Sequence, residues 1–370
     1  MRTKLTEMFG IDLPIFAFSH CRDVVAAVSR AGGLGVLGCA YQTPDKLEQE
    51  LRWIDDHVDG KPYGIDLLMP GNYQKLETPR LTLADLPQEQ TEYLRQLCDA
   101  AGVPPLPEDM REELIQAELD KLQFTPEQAV KLLDVGLQHP IKVVVNALGV
   151  PDPGTVRDLH NRGIKVGSLI GKLEHAQRQV AAGVDIIVAQ GYEAGGHSGA
   201  IASMVLWPQI VDAVAPVPVL AAGGIGRGRQ MAAALALGVE GIWCGSIWLG
   251  TAESEVMPEI KQRFFGAAAD DAVQTRARTG KPVRMLRSLL TDAWEQPAAP
   301  PFLQMPLQTA VMIEARLRVE RARDKRFLTY PVGQIVGQMQ HETTCRQLIY
   351  DLLDEYVEAV SRLNAITEAR

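Results

Sequence analysis

One histidine stands in a setting built for chemistry. His197 lies in Ala189–Ala200, AQGYEAGGHSGA, flanked by Gly195, Gly196 and Gly199. Glycines let backbone approach a ligand and present N–H groups without side-chain obstruction. An imidazole there can act as general acid or base, or donate to a substrate anion. A loop histidine that only closes a strand end is the plainer alternative. Gln190 ends the preceding apolar run and can point an amide at a heteroaromatic ring, with Glu193 nearby.

Two further glycine runs follow. AAGGIGRG (Ala221–Gly228) brings Gly223 and Gly224, and WCGSIWLGT (Trp243–Thr251) brings Gly245 and Ser246. Each follows a short apolar run, and they lie one strand–helix unit apart. Together they point to a site for a phosphate-bearing ligand, such as flavin mononucleotide (FMN), rather than to tight packing turns. Asp66, in YGIDLL, ends another run and can accept from ligand hydroxyls or ring N–H groups. His20 and Cys21 follow the first run and can line the same site. Asn146 interrupts VVVNAL, where it either turns inward or sits as a satisfied amide. His57, His139, His160, His175 and His341 have no partner in view and read as surface residues.

The elements that must position these residues alternate. Strands are expected at Pro14–Phe18, Leu34–Cys39, Tyr63–Leu68, Ile141–Leu148, Ile164–Ile170, Asp185–Gly191, Val217–Gly224 and Gly241–Gly245. Their nearly continuous apolar runs suit parallel strands buried on both faces. Helical patterns lie between most of them. Thr43-Pro44-Asp45 supplies a cap, a first-turn proline and an acid at the positive end of the dipole. Eight strands with crossover helices predict an α/β fold, a (β/α)8 TIM barrel with its chemistry at the C-terminal ends of the strands. An open doubly wound sheet is the runner-up, but no GxGxxG turn follows the first strand.

Two stretches break the rhythm. Residues 71–139 are too long for one crossover and read as a helical insertion between strands three and four. Residues 261–370 read as a helical C-terminal extension packed on the barrel or on a second subunit, which leaves a homodimer open. The barrel itself is assigned to residues 1–70 and 140–260.

Composition narrows the classes. Among 370 residues, 46% are apolar and 22% charged, which suits a soluble globular protein. Lys and Arg total 37 against 46 acids, a net charge of −9, which argues against nucleic acid and anionic lipid as partners. No apolar run reaches the roughly 18–20 residues of a membrane helix. The five cysteines show no zinc or disulfide spacing, so free thiols in a reducing cytoplasm and no metal site are expected.

The ordered set AVSRAGGLGVLG, YGIDLL, AQGYEAGGHSG, AAGGIGRGRQMAAALALG and CGSIWLGTAES resembles the nitronate monooxygenase family, once called 2-nitropropane dioxygenases. The tail segments TGKPVRMLRSLLTDAWE and PVGQIVGQM look like members of the same group. The resemblance implies a TIM barrel holding FMN non-covalently through Asp66 (often Asn in relatives), Gln190, Gly195, Gly224, Trp243, Cys244, Gly245 and Ser246. It implies that His197 is the catalytic histidine. The implied reaction is oxidation of an alkyl nitronate by O2 to a carbonyl compound and nitrite. Many relatives carry Ala-Pro-Met after the first strand. PIFAFSHCRD departs from that, and only Ala17, Phe18 and Ser19 align loosely with the flavin edge.

Other readings use the same scaffold. An FMN-dependent reductase or dehydrogenase acting on an enoyl- or acyl-CoA-type thioester needs a basic patch, for which Arg227 and Arg229 are candidates. A phosphate-binding isomerase or synthase needs a lysine at a strand end, whereas Lys142 and Lys165 sit at strand starts. A non-catalytic binding protein is the remaining class.

Overall fold

A computed structural model describes residues 1–40, 42–69, 80–122 and 126–368. Eight parallel strands close into one barrel, with β1 hydrogen-bonded to both β2 and β8. They are β1 (Ile15–Ser19), β2 (Leu34–Gly38), β3 (Tyr63–Leu67), β4 (Val143–Asn146), β5 (Lys165–Ile170), β6 (Ile186–Gln190), β7 (Val219–Ala222) and β8 (Gly241–Cys244). β1 is offset one residue from the expected run, and the others lie inside theirs.

Period-two alternation sorts their side chains. Phe16, Leu34, Val36, Val143, Val145, Ile186, Val188, Leu220 and Trp243 fill the interior. Ile15, Leu37, Ile65, Val144, Ile187, Ala221, Ile242 and Cys244 face the surrounding helices. The short helix α1 (Lys4–Phe9), capped by Thr3, adds Leu5, Met8 and Phe9 to the interior cluster.

The helices around the barrel are α2 (Arg22–Arg30), α3 (Pro44–His57), α6 (Pro126–Gly136), α7 (Pro153–Asn161), α8 (Leu173–Ala181), α9 (Ser203–Val214) and α10 (Gly228–Ala236). Thr43 accepts from the Lys46 N–H and Pro44 opens the first turn of α3, the start that its residue types predict. α6 packs on α3 and β3, so it is the crossover helix between β3 and β4. The segment that departs from barrel geometry is therefore shorter than 71–139. Among described residues it comprises α4 (Gln88–Ala100) and α5 (Arg111–Asp120), while 71–79 and 123–125 lie outside the described residues.

Beyond β8 come α11 (Pro258–Phe265), β9 (Ala272–Thr275), β10 (Val283–Leu286), α12 (Leu289–Ala293), α13 (Leu307–Ala322) and α14 (Cys345–Glu368). The region read as purely helical thus contains an antiparallel ribbon, β9–β10. α13 packs on α4 and α5. Leu94, Cys98, Phe264, Leu290, Trp294, Val311 and Ala315 share one apolar cluster. Arg318, almost fully buried, donates to Asp99 Oδ1 (2.6 Å) and to the Pro104 carbonyl (3.1 Å). The insertion and the post-barrel segment therefore form one cap.

α14 then leaves the cap and packs on α10 and α2. Its Cys345, Ile349 and Leu352 join the outer barrel core. It fills the place of the eighth barrel helix, after an excursion of about a hundred residues. Arg227 and Arg229 both pair with Glu355 of α14, so the proposed basic patch serves this docking instead. A Cβ on Gly228 would lie 2.0 Å from the Leu352 carbonyl oxygen. Gly228→Ala is therefore expected to cost about 1–3 kcal/mol through overpacking. Thermal unfolding with limited proteolysis checks this, and cleavage should appear first around α14.

Candidate active site at the barrel mouth

Asp66, one residue before the end of β3, sits in register with Gly38 of β2 and Val145 of β4. Its neighbours Ile65 and Leu67 face the helices, so Asp66 faces the interior. It is 4% exposed, and its Oδ2 has no hydrogen-bond partner. Burial pushes this carboxyl well above the ordinary carboxylate range. A protonated carboxyl offers one acceptor and one donor, as a carboxamide does.

The end of β1 and the residue that follows it contribute an aromatic wall. Phe18 stacks on Trp243 of β8, with ring centroids 6.1 Å apart, and meets His20 edge-on at 5.1 Å. His20 Nδ1 lies 3.0 Å from the Gly38 carbonyl, and burial lowers the imidazole's pKa. Gln190 closes β6 in register with Ala222 of β7. Asn146 does not project as a free group. Its Oδ1 accepts from Met69 N (2.8 Å) and its Nδ2 donates to the Gly149 carbonyl (3.0 Å).

The loops after β7 and β8 are fixed by local chemistry. Gly224 has φ +69°, and a Cβ there would press on Glu193 at 3.0 Å. Gln230 donates to the Gly224 carbonyl (2.7 Å) and accepts from Gly226 N (2.9 Å), locking that turn. A Cβ on Gly245 would make only ordinary van der Waals contact, with Phe18 at 3.8 Å. Ser246 Oγ accepts from Gly333 N at 2.8 Å. Cys244 does not join this group through its side chain. Strand alternation turns it toward the helices, and burial pushes its thiol up to about 12.

The loop after β6 is held from above by the cap. A Cβ on Gly195 would lie 2.7 Å from the backbone of Val332 and Gly333, so the chain crosses it in direct contact. Gly196 exchanges two backbone hydrogen bonds with Arg284 of β10 (2.9 and 2.8 Å). His197 Nδ1 lies 2.9 Å from the Pro282 carbonyl. A carbonyl only accepts, so Nδ1 carries the proton and Nε2 is left bare. The imidazole remains open to solvent on one side. Burial still holds its pKa below the ordinary 6.5, and Lys281 and Arg278 push the same way.

The cap residues Arg278, Pro282, Arg284, Tyr330 and Gly333 are the ones sequence reasoning missed. The tail segments that contain most of them were visible, but nothing in their spacing places them over His197. Arg278 also acts electrostatically on His20 and Tyr330, so it lies near all three mouth residues. His139 needs correction as well. It is buried at the start of β4's approach, between Asp55 (2.6 Å) and Glu48 (3.0 Å). Tyr63 donates to the same Asp55 (2.6 Å), and because Tyr63 starts β3 this cluster lies at the opposite end of the barrel.

A closed (β/α)8 barrel with this mouth defines a flavin oxidoreductase when set beside its relatives. The family model for nitronate monooxygenase matches residues 2–355, and the chain belongs to that family. A Mycobacterium tuberculosis protein named "Putative monooxygenase Rv1533" is 44% identical, with all of both chains covered. Another M. tuberculosis relative, a hydroxy-methyl-oxo-octahydro-indene-carboxyl-CoA dehydrogenase, is 30% identical over 80% of this chain and 69% of its own. The nitroalkane oxidase of Streptomyces ansochromogenes superposes with a TM-score of 0.78 at 29% identity, covering 97% of this chain and 99% of that one. No helix among the described residues is long and apolar enough to cross a membrane.

Asp66 links this site to stability. A carboxyl whose folded pKa is raised favours the folded state fully below its ordinary value near 3.8. That contribution disappears as pH climbs toward the folded value. Asp66→Asn avoids the loss. Its melting temperature should exceed that of the parent by about 2–4 °C at pH 8, with the gap narrowing toward pH 4. Paired thermal scans across that range check it.

Proposed function

We propose that the protein is an FMN-dependent nitronate monooxygenase acting in the reducing cytoplasm, where its five buried free thiols are stable. Its reaction oxidises nitronates with O2 to a carbonyl compound and nitrite. The observation that carries the mechanistic part is the 2.9 Å contact between His197 Nδ1 and the Pro282 carbonyl.

The residues at the mouth suit the cofactor. The Asp66 carboxyl, with its Oδ2 unpartnered and burial favouring its protonated form, would present a donor and an acceptor to a flavin ring, in the manner of an amide. Gln190 supplies a true amide from across the barrel. Gly224, the backbone at Gly245 and the Ser246 hydroxyl are the groups that would hold the phosphate. Gly195 and the inward face of Trp243 would line the ring, and Cys244 would contribute backbone alone. The chemistry a bound FMN supplies is one-electron oxidation of the nitronate.

His197 does the acid–base work in this reading. Its Nε2 is bare and its pKa lies below 6.5, so it accepts a proton at neutral pH instead of donating one to an anion. A neutral nitroalkane loses its α-proton to Nε2, and the C–H electron pair moves into the C=N bond of the nitronate. Lys281 and Arg278, on the turn of the ribbon, favour the negative charge that forms on the nitro oxygens.

The relative acting on a CoA ester keeps a thioester in view. Arg227 and Arg229, the pair it would need, are engaged by Glu355, which favours the nitronate. Anaerobic mixing of the flavin-loaded protein with propionate 3-nitronate, and separately with NADPH, tests this. Flavin reduction by the nitronate and little response to NADPH is expected. Bleaching by NADPH alone would overturn the reading in favour of the thioester reductase.

A second experiment separates the role of His197. His197→Asn should retain flavin and lose about 10²–10⁴-fold in turnover of a neutral nitroalkane. With preformed nitronate the loss should be far smaller. The parent's kcat/KM for the nitroalkane should fall on the acid side, with a midpoint below pH 6.5. Steady-state kinetics on both substrates checks each point.

A further inference from the structure

We propose that Arg284 is a positioning residue: it fixes the conformation of the Gly195–His197 loop and so the aim of the His197 imidazole. The functional importance of that aim rests on the role given to His197 above.

Arg284 belongs to the cap, not to the barrel. Its backbone holds Gly196 from both sides, N–H to carbonyl in each direction. Its side chain returns to the start of the same loop. Nε donates to the Tyr192 carbonyl at 3.2 Å, and the guanidinium lies 4.4 Å over the Tyr192 ring. Nη1 donates to the Ala272 carbonyl of β9 at 2.6 Å. One residue thus grips the loop at two points and ties both to the strand beside it. The carbonyl that orients His197 belongs to Pro282, two residues earlier on the same chain segment.

The electrostatics are unusual for a residue that only fills space. Arg284 is 2% exposed, and among the described residues no carboxylate lies within ion-pair distance of it. Its Nη2 has no partner. A buried cation without a counter-charge is unfavourable, so its retention points to something that a neutral side chain does not supply. What the guanidinium supplies, and an apolar chain cannot, is a rigid fork of donors in fixed directions. That fork spans Tyr192 and Ala272, the two backbones between which the loop is held.

Arg284→Met and Arg284→Lys, both as flavin-loaded full-length protein, test the assignment. Hydrogen exchange of peptides spanning residues 190–200 is compared with that of the barrel strands. The His197 pKa is followed by NMR titration, with His197→Asn identifying the resonance. In Arg284→Met the loop peptide should exchange roughly tenfold faster while the strands stay unchanged. The His197 pKa should rise toward 6.5 as water reaches the ring, although Lys281 and Arg278, the charged groups facing it, remain in place. Arg284→Lys keeps the charge but lacks the rigid fork of donors, so it should fall between parent and Arg284→Met. It carries the same test should Arg284→Met fail to fold.

Unchanged loop exchange and an unchanged His197 titration in both variants would overturn the proposal. Faster exchange shared equally by loop and strands would do the same. Neither readout uses a substrate, so a parent enzyme that oxidises no nitronate would sink the functional reading while leaving this test intact.

Discussion

Two backbone hydrogen bonds between Gly196 and Arg284 join the barrel to its cap at the place where chemistry is expected. The loop they hold is rich in glycine, and such a chain has many accessible conformations of its own. A barrel strand end alone does not choose among them. The ribbon β9–β10 does, by adding a short antiparallel bridge to the loop and a carbonyl to the imidazole. The tautomer of His197, its partial burial and its orientation all follow from that contact. The site is therefore shared between two parts of the chain nearly ninety residues apart.

Burial then sets the charge states around the mouth. Asp66 and His197 both shift toward neutrality, one by keeping a proton and the other by losing it. The protein as a whole is acidic, yet Lys281 and Arg278 stand beside the histidine. Local arrangement thus opposes the net charge.

The cap can hold the loop because it is itself anchored at several points. The helices α4 and α5 enter between β3 and β4, and α13 arrives after β8 to cover them. Apolar packing and the ion pair between the buried Arg318 and the exposed Asp99 make these distant segments one layer. α14 then closes the helical ring against α10, where Gly228 allows backbone-to-backbone approach and Glu355 draws in two arginines. The barrel is not complete until nearly the whole chain has been made, so barrel and cap are interdependent.

The eight strands were legible from local pattern, because parallel barrel strands are buried on both faces and read as unbroken apolar runs. The glycines at Gly195 and Gly224 were legible for a similar reason: close backbone approach at the first and a left-handed backbone at the second disfavour a side chain, and that is written in the residue type. Local pattern says nothing about pairing across long separations. It could not show that α6 belongs to the ring, that α14 is the eighth helix, or that His139 is buried between two acids. The family resemblance set Cys244 among the flavin contacts without saying which face of the strand its side chain takes. Alternation within the closed barrel turned that side chain outward. Arg284 and Pro282 carried no local signal, since their role exists only where the ribbon meets the loop. Residue types and periods along the chain determined the barrel and the kind of chemistry it can hold. Tertiary contact alone decided which nitrogen of His197 carries the proton, because the hydrogen bond it donates to a distant carbonyl selects the tautomer.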